Sequence, residues 1–210
     1  MELASLSPVG RIVLTLGHGK HAYSELKLET GLSDRWLTIK LKELEDGGVV
    51  KKDGKWYGLS GELPVSPYEL NLYLRFQARR VASELARLRH VQAIILFGGV
   101  ARGSAHEHSD LDMIIVADGQ LEKVKEQILS KILELELNYH LTIEPLILCE
   151  EDFLDNVHSQ EGGIIYGVAE GFEVLVDKTG ILTRALQERI EDIRGTHEYL
   201  KEARIWLKLR

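Results

Sequence analysis

Residues 91 to 116 read Val91-Gln92-Ala93-Ile94-Ile95-Leu96-Phe97-Gly98-Gly99-Val100-Ala101-Arg102-Gly103-Ser104-Ala105-His106-Glu107-His108-Ser109-Asp110-Leu111-Asp112-Met113-Ile114-Ile115-Val116. Two short apolar runs rich in β-branched residues bracket a polar, glycine-containing middle, and runs of that length and composition read as buried strands. The stretch is therefore a strand, a glycine turn, a short loop and a second strand. In an extended segment side chains alternate between faces, so Asp110 and Asp112 project from the same side.

Two carboxylates at the head of an otherwise apolar strand repel one another and are costly to desolvate unless a cation or a proton compensates them. Hard oxygen ligands of this kind suit Mg²⁺, with Mn²⁺ as the substitute, and Mg²⁺ is commonly shared between carboxylates and substrate phosphates. Gly98 and Gly99 let the backbone come close to a ligand, so that amide groups can meet a polyphosphate. A nucleoside triphosphate uses both halves of the motif. A hairpin with solvated carboxylates is the plainer alternative for any one part of it, though not for the whole spacing.

The pattern resembles the DNA polymerase beta-type nucleotidyltransferase superfamily, and within it the small "minimal" nucleotidyltransferase domains. Those have an apolar strand, Gly-Ser or Gly-Gly, about ten residues often containing Ala-Arg-Gly, and then Ser-Asp-x-Asp. Here the count from Val100 to Ser109 is ten, with Ala101-Arg102-Gly103 and Ser109-Asp110-Leu111-Asp112 in place. The family's usual serine is Gly99, so one hydroxyl contact to the triphosphate is absent. The resemblance implies Mg²⁺-dependent transfer of a nucleoside monophosphate from ATP or another nucleoside triphosphate to a hydroxyl. It implies catalytic and metal-holding roles for Asp110 and Asp112, nucleotide contacts from Gly98 and Gly99, and positioning of the loop or its ligand by Arg102 and Ser109. It also implies a third carboxylate on a later strand, which Glu144 in His140-Leu141-Thr142-Ile143-Glu144-Pro145-Leu146-Ile147-Leu148 matches. In that role Glu144 helps hold a second metal and accepts the proton of the attacking hydroxyl. Pro145 removes a ladder donor and favours an edge strand or a bulge.

The first sixty residues read differently. Residues 8 to 17 and 22 to 30 are expected as short helices, and Ser33 offers an N-cap for a third helix from Asp34 to about Asp46, stopped by Gly47-Gly48. Val49-Val50-Lys51-Lys52 and Lys55-Trp56-Tyr57-Gly58-Leu59 then flank an Asp53-Gly54 hairpin turn. Three helices and a hairpin in this order resemble the winged helix-turn-helix family. Leu37, Leu41 and Leu44 form the inward stripe of the third helix, leaving Arg35, Thr38, Ile39 and Lys42 on the other side. Such a face suits the major groove of double-stranded DNA, with Lys51, Lys52 and Lys55 as a cationic wing. The alternative is a solvated helix in a protein-docking module. Residues 1–60 hold nine Lys or Arg against eight Asp or Glu, whereas the whole chain carries −7, so positive charge is confined to this face and wing.

Pro64-Val65-Ser66-Pro67 reads as a boundary, followed by an amphipathic connector helix from Pro67 to His90 whose arginines, Arg75, Arg79, Arg80, Arg87 and Arg89, could approach nucleic acid or the triphosphate but are expected to be solvated. Leu121 to Leu137 reads as a helix, Glu150-Glu151-Asp152 opens another, Phe172 to Asp177 is a possible strand, and Ile181 to Arg210 reads as one long helix. That last helix packs on the transferase domain or pairs with another copy as a homodimer; the sequence leaves both open. The expected architecture is α+β: a winged helix-turn-helix domain (1–62), a connector helix (63–90), a nucleotidyltransferase domain with a mixed sheet (91–180) and a long C-terminal helix (181–210). Cys149 is the sole cysteine, so no intrachain disulfide is possible, and neither a signal-peptide pattern nor a membrane-length apolar run occurs. A cytoplasmic protein without membrane contact is expected. His106 and His108 lie in the motif's loop and could touch a ligand. A regulator that binds DNA and senses nucleotide without turnover is the competing function.

Overall fold

A computed structural model describes residues 6–60, 66–106, 109–139, 141–160, 163–203 and 205–209. The boundary expected at Pro64 and Val65, and the loop residue His108, fall outside these.

The N-terminal segment builds a small unit of its own. Helix α1 (Pro8–Gly17) is capped by the Ser7 hydroxyl, which accepts from the Gly10 amide at 3.0 Å. A two-residue strand β1 (His21–Ala22) leads to α2 (Tyr23–Thr30) and α3 (Asp34–Asp46), and a hairpin of β2 (Val50–Asp53) and β3 (Trp56–Leu59) closes the unit. The three strands are ordered β1-β3-β2, all antiparallel. Leu37, Leu41 and Leu44 turn inward onto Ile12, Val13, Leu26 and Val50, as their spacing dictates.

Helix α4 (Pro67–Leu85) begins with a reciprocal cap between Ser66 and Glu69. It is shorter than the connector expected to His90: the chain turns after Leu85, where the Leu88 amide bonds to the Leu85 carbonyl at 3.0 Å, and then enters the sheet. Nor is it a bare connector. Leu70, Leu74, Ala78, Val81 and Leu85 are buried against the sheet. Its arginines, expected to be solvated, are paired: Arg79 with Glu173, and Arg80 with Glu29 of α2 at 2.8 Å.

The central sheet comprises β4 (Val91–Leu96), β5 (Leu111–Ala117), β6 (Ile143–Leu148) and β7 (Glu173–Asp177), ordered β6-β5-β4-β7. β4 is antiparallel to both β5 and β7, and β5 is parallel to β6, so the sheet is mixed. β6 lies at an edge, where the missing amide of Pro145 costs no ladder bond. β4 and β5 are continuously apolar because both faces are covered. Leu111, Met113 and Ile115 face α4 and α6 (Leu121–Tyr139), while Ile114 and Val116 face α7 (Glu150–His158), α8 (Ile164–Glu170) and α9 (Ile181–Thr196).

The expected single helix from Ile181 to Arg210 does not form. α9 stops at Thr196, His197 is extended (φ −134°, ψ 150°), and the chain folds back as a hairpin of β8 (His197–Leu200) and β9 (Ile205–Lys208). Gly195 and the β-branched Thr196 weaken helix continuation. The hairpin gains contacts that a continued helix would lose: Tyr199 and Trp206 meet with ring centroids 5.1 Å apart, and the Trp206 indole N–H donates to the Tyr166 carbonyl at 2.8 Å.

Candidate active site

Asp110 sits just before β5 and Asp112 is its second residue, so the acidic pair stands where the sheet meets solvent, both partly buried. Asp112 shares the sheet face of Ile114 and Val116. Glu144 lies on the adjacent parallel strand as the register partner of Asp112, on the face of Leu146 and Leu148. Asp112 and Glu144 therefore occupy neighbouring positions on one face of the sheet, and Asp110 lies close enough for its charge to act on Asp112. Among the described residues, however, no group of three or more His, Cys, Asp or Glu side chains is placed to hold a metal ion. Glu144 is exposed, alongside the pair rather than closed on it.

Burial raises the Asp112 carboxyl above its ordinary range, and the negative charges of Asp110 and Glu144 push it further up. A Gly99 backbone hydrogen bond and the Arg102 charge oppose this without cancelling it. Negative charge here is thus under-compensated within the protein, the electrostatic condition in which an added cation is stabilising.

The glycine turn takes a more regular form than expected. Gly98 to Arg102 is a single helical turn, α5 (Gly98–Arg102), ended by Gly103 in the left-handed conformation (φ 82°). Gly98 itself has φ +70°, and a Cβ added to it would lie 1.7 Å from Asp112 Oδ2. Only glycine admits both that backbone angle and the Asp112 carboxylate. Gly99 is different: an added Cβ would meet nothing nearer than Ser104 Oγ at 3.9 Å, so a side chain fits there. Its backbone hydrogen bond goes to Asp112.

Arg102 and Ser109 are occupied within the protein. The Arg102 guanidinium pairs with Glu170 of α8 at 3.1 Å. Ser109 braces the loop: its hydroxyl accepts from the His106 amide and its own amide donates to the His106 carbonyl, each at 2.9 Å. α5 is held from the other side by Arg75, which donates to the Ala101 carbonyl at 2.8 Å. Sequence reading missed Glu170 and placed Arg75 only among the arginines of the connector helix, because neither lies near the motif along the chain and both reach it through packing of α8 and α4.

On the N-terminal unit, Arg35, Thr38, Ile39 and Lys42 are all exposed on α3, and Lys51, Lys52 and Lys55 are exposed on the hairpin. Thr38 Oγ1 shares a 2.9 Å hydrogen bond with the Tyr23 hydroxyl, and Lys55 lies 4.9 Å from the Trp56 ring centroid. Trp36 adds a half-exposed indole to the α3 surface.

Comparison with known proteins adds family-level findings. The model of the nucleotidyltransferase domain family matches residues 78–165. "Putative protein adenylyltransferase MJ1305" of Methanocaldococcus jannaschii is 30% identical over 105 residues, covering 48% of this chain and 68% of that protein. Among solved structures, a toxin-antitoxin with AMP-PNP aligns at TM-score 0.39 and 16% identity, over 56% of this chain and 87% of that one. A structure described as "a putative nucleotidyltransferase from Sulfolobus solfataricus" aligns at TM-score 0.31 and 20% identity, over 44% of this chain and 82% of that one. No helix among the described residues is long and apolar enough to cross a membrane.

Proposed function

This chain belongs to the nucleotidyltransferase family, and we propose that it moves a nucleoside monophosphate from ATP or another nucleoside triphosphate to a hydroxyl acceptor, with Mg²⁺ as cofactor and Mn²⁺ as its substitute. The observation that carries the reading is the partly buried, under-compensated Asp112 beside Asp110, seated in a notch that only Gly98 leaves open. The donor set is all carboxylate oxygen, as a hard divalent cation prefers. The name of the Methanocaldococcus relative favours an adenylyl group and a protein hydroxyl.

In this reading Asp110 and Asp112 hold the cation. Bound there, it would neutralise charge on the triphosphate and on the oxygens that attack and leave. Gly98 lets the triphosphate approach the start of α5, and Gly99 orients Asp112 through its backbone. The acceptor oxygen bonds to the α-phosphorus as the bond to the β-phosphate bridging oxygen breaks, and pyrophosphate departs with the electron pair. Glu144, next to Asp112 in register, takes the hydroxyl proton or turns inward as a further ligand. Arg102, fixed by Glu170, and Ser109, fixed by the His106 backbone, keep the loop in place.

We propose in addition that the N-terminal unit is a winged helix-turn-helix that binds double-stranded DNA. The helix order, the antiparallel hairpin and the exposed Arg35, Thr38, Ile39, Lys42, Lys51, Lys52 and Lys55 support it. Arg35→Ala with Lys42→Ala is then expected to weaken duplex binding and lower the salt slope by about 2. An unchanged slope refutes a phosphate-contact role for these two residues.

Transfer is tested with α-labelled ATP, Mg²⁺ and a panel of protein, RNA and small-molecule acceptors. The wild type should label an acceptor, and a chelator or the Asp110→Ala, Asp112→Ala double variant should abolish it. Equal labelling by both proteins overturns the assignment.

A further inference from the structure

A cleft of about 520 Å³ lies between α8 and the C-terminal hairpin, lined by Tyr166, Glu170, His197, Ile205, Trp206 and Lys208. Three aromatic rings shape it. Tyr166 and His197 meet edge to face with centroids 5.5 Å apart, and Trp206 is fixed by its hydrogen bond to the Tyr166 carbonyl. The Tyr166 hydroxyl donates to the Gln160 carbonyl at 3.1 Å and His197 Nδ1 bonds to Thr196 Oγ1 at 2.9 Å, so both rings are held in position by other groups. Walls of this kind suit a flat ring.

The cleft is linked to the acidic pair by charge. Glu170 on its wall pairs with Arg102, whose own charge acts on Asp112. A carboxylate offers about four acceptor positions, so pairing with one guanidinium leaves capacity for another donor. Except for Gln160, the cleft residues lie beyond residue 165, where the match to the nucleotidyltransferase domain ends.

We infer that the cleft seats the nucleobase of the nucleoside triphosphate, and that Glu170 selects bases bearing an exocyclic amino group. This rests on the nucleotidyltransferase reading: the Glu170–Arg102 pair joins the cleft to α5, the turn that begins at Gly98. The aromatic walls stack on the ring, a contact that any base can make. Glu170 accepts from the amino group of adenine or cytosine and is opposed by the carbonyl oxygen of uracil at the same ring position.

Trp206 supplies the readout. In the full chain carrying Trp36→Phe and Trp56→Phe, Trp206 is the remaining indole, and adenosine, ATP, UTP and inorganic triphosphate are titrated in turn. Adenosine and ATP should quench it, with ATP binding about tenfold tighter than UTP, and Glu170→Gln should erase that preference. Tyr166→Leu should weaken adenosine and ATP but leave triphosphate binding, followed by calorimetry, unchanged. If triphosphate binds as tightly as ATP and adenosine gives no response, the cleft is not the base site, although the transferase reading survives. If adenosine binds the cleft while neither triphosphate binding nor label transfer occurs, the cleft stands and the transferase reading fails. Equal ATP and UTP affinities, untouched by Glu170→Gln, overturn the selectivity.

Discussion

Replacing Gly98 by alanine adds one methyl group at the point where the backbone and Asp112 meet. Its Cβ would lie 1.7 Å from Asp112 Oδ2 and 2.5 Å from Asp112 Cγ, so either the carboxylate or the α5 turn has to move. The φ of +70° at this position adds strain of its own. For a residue other than glycine the left-handed conformation costs about 1–2 kcal/mol, and forcing an extra carbon into a packed site costs about 1–3 kcal/mol. Together these predict a loss of about 2–5 kcal/mol, measured by urea unfolding. Label transfer should fall at least about a hundredfold, because a displacement of about an ångström in a reacting constellation costs that much. Gly99→Ser is the matched control. Its side chain enters open space, with Ser104 Oγ the nearest atom at 3.9 Å, so stability should change by less than about 0.5 kcal/mol. Wild-type stability and transfer in Gly98→Ala, or losses as large in Gly99→Ser, would refute the notch as the device that positions Asp112.

Asp177, the last residue of β7, caps the start of α9 with its side chain: burial pushes its carboxyl upward, but the Thr183 hydroxyl and amide and the Gly180 and Thr179 amides outweigh that and pull it down to about 2. A carboxyl depressed in the folded state contributes stability above its unfolded value near 3.8, lost as pH falls toward 2. Asp177→Ala should therefore cost about 1 kcal/mol at neutral pH and flatten the acid limb of a stability-pH curve between about 4 and 2. Asp112 has the opposite sign, since a folded-state carboxyl raised by burial and by Asp110 and Glu144 loses stability as pH rises from its unfolded value through the raised one. Asp110→Asn should lower the Asp112 pKa, observable by NMR titration, raise the melting temperature of the metal-free protein, and abolish transfer. Arg80 joins the N-terminal unit to the sheet domain, pairing with Glu29 at 2.8 Å and lying 4.2 Å from the Tyr139 ring centroid. Arg80→Ala should cost about 1–2 kcal/mol and increase amide exchange in α2; unchanged exchange there would sink its role as a link.

The motif was legible because its physics is local. The spacing from Gly98 to Asp112 is read directly along the chain, and Asp112 stands at the head of β5 with Asp110 just before it. Pro145 disfavoured a central strand, and β6 is an edge. The inward stripe of Leu37, Leu41 and Leu44 fixed the orientation of α3 and hence which residues are exposed. What could not be read depends on contacts distant in sequence. Arg75, Arg79 and Arg80 resemble a solvated helix face until Ala101, Glu173 and Glu29 are brought to them. Likewise, helical periodicity persists past Gly195, and the Tyr199–Trp206 contact and the docking of Trp206 on α8, both distant in sequence from that break, favour a hairpin as the ending. The position of Glu144 is an intermediate case. Its strand was readable, its register against Asp112 was not, and its exposed side chain does not close the acidic site by itself.

Calorimetric titration of ATP in the presence and absence of Mg²⁺ tests the central claim most directly, comparing the wild type with Asp110→Asn, Asp112→Asn. Mg²⁺ should strengthen ATP binding to the wild type by at least about tenfold and have no such effect on the variant. Equal Mg²⁺ enhancement in both proteins, or ATP binding that ignores Mg²⁺ altogether, would contradict the assignment of the metal and triphosphate to this acidic pair.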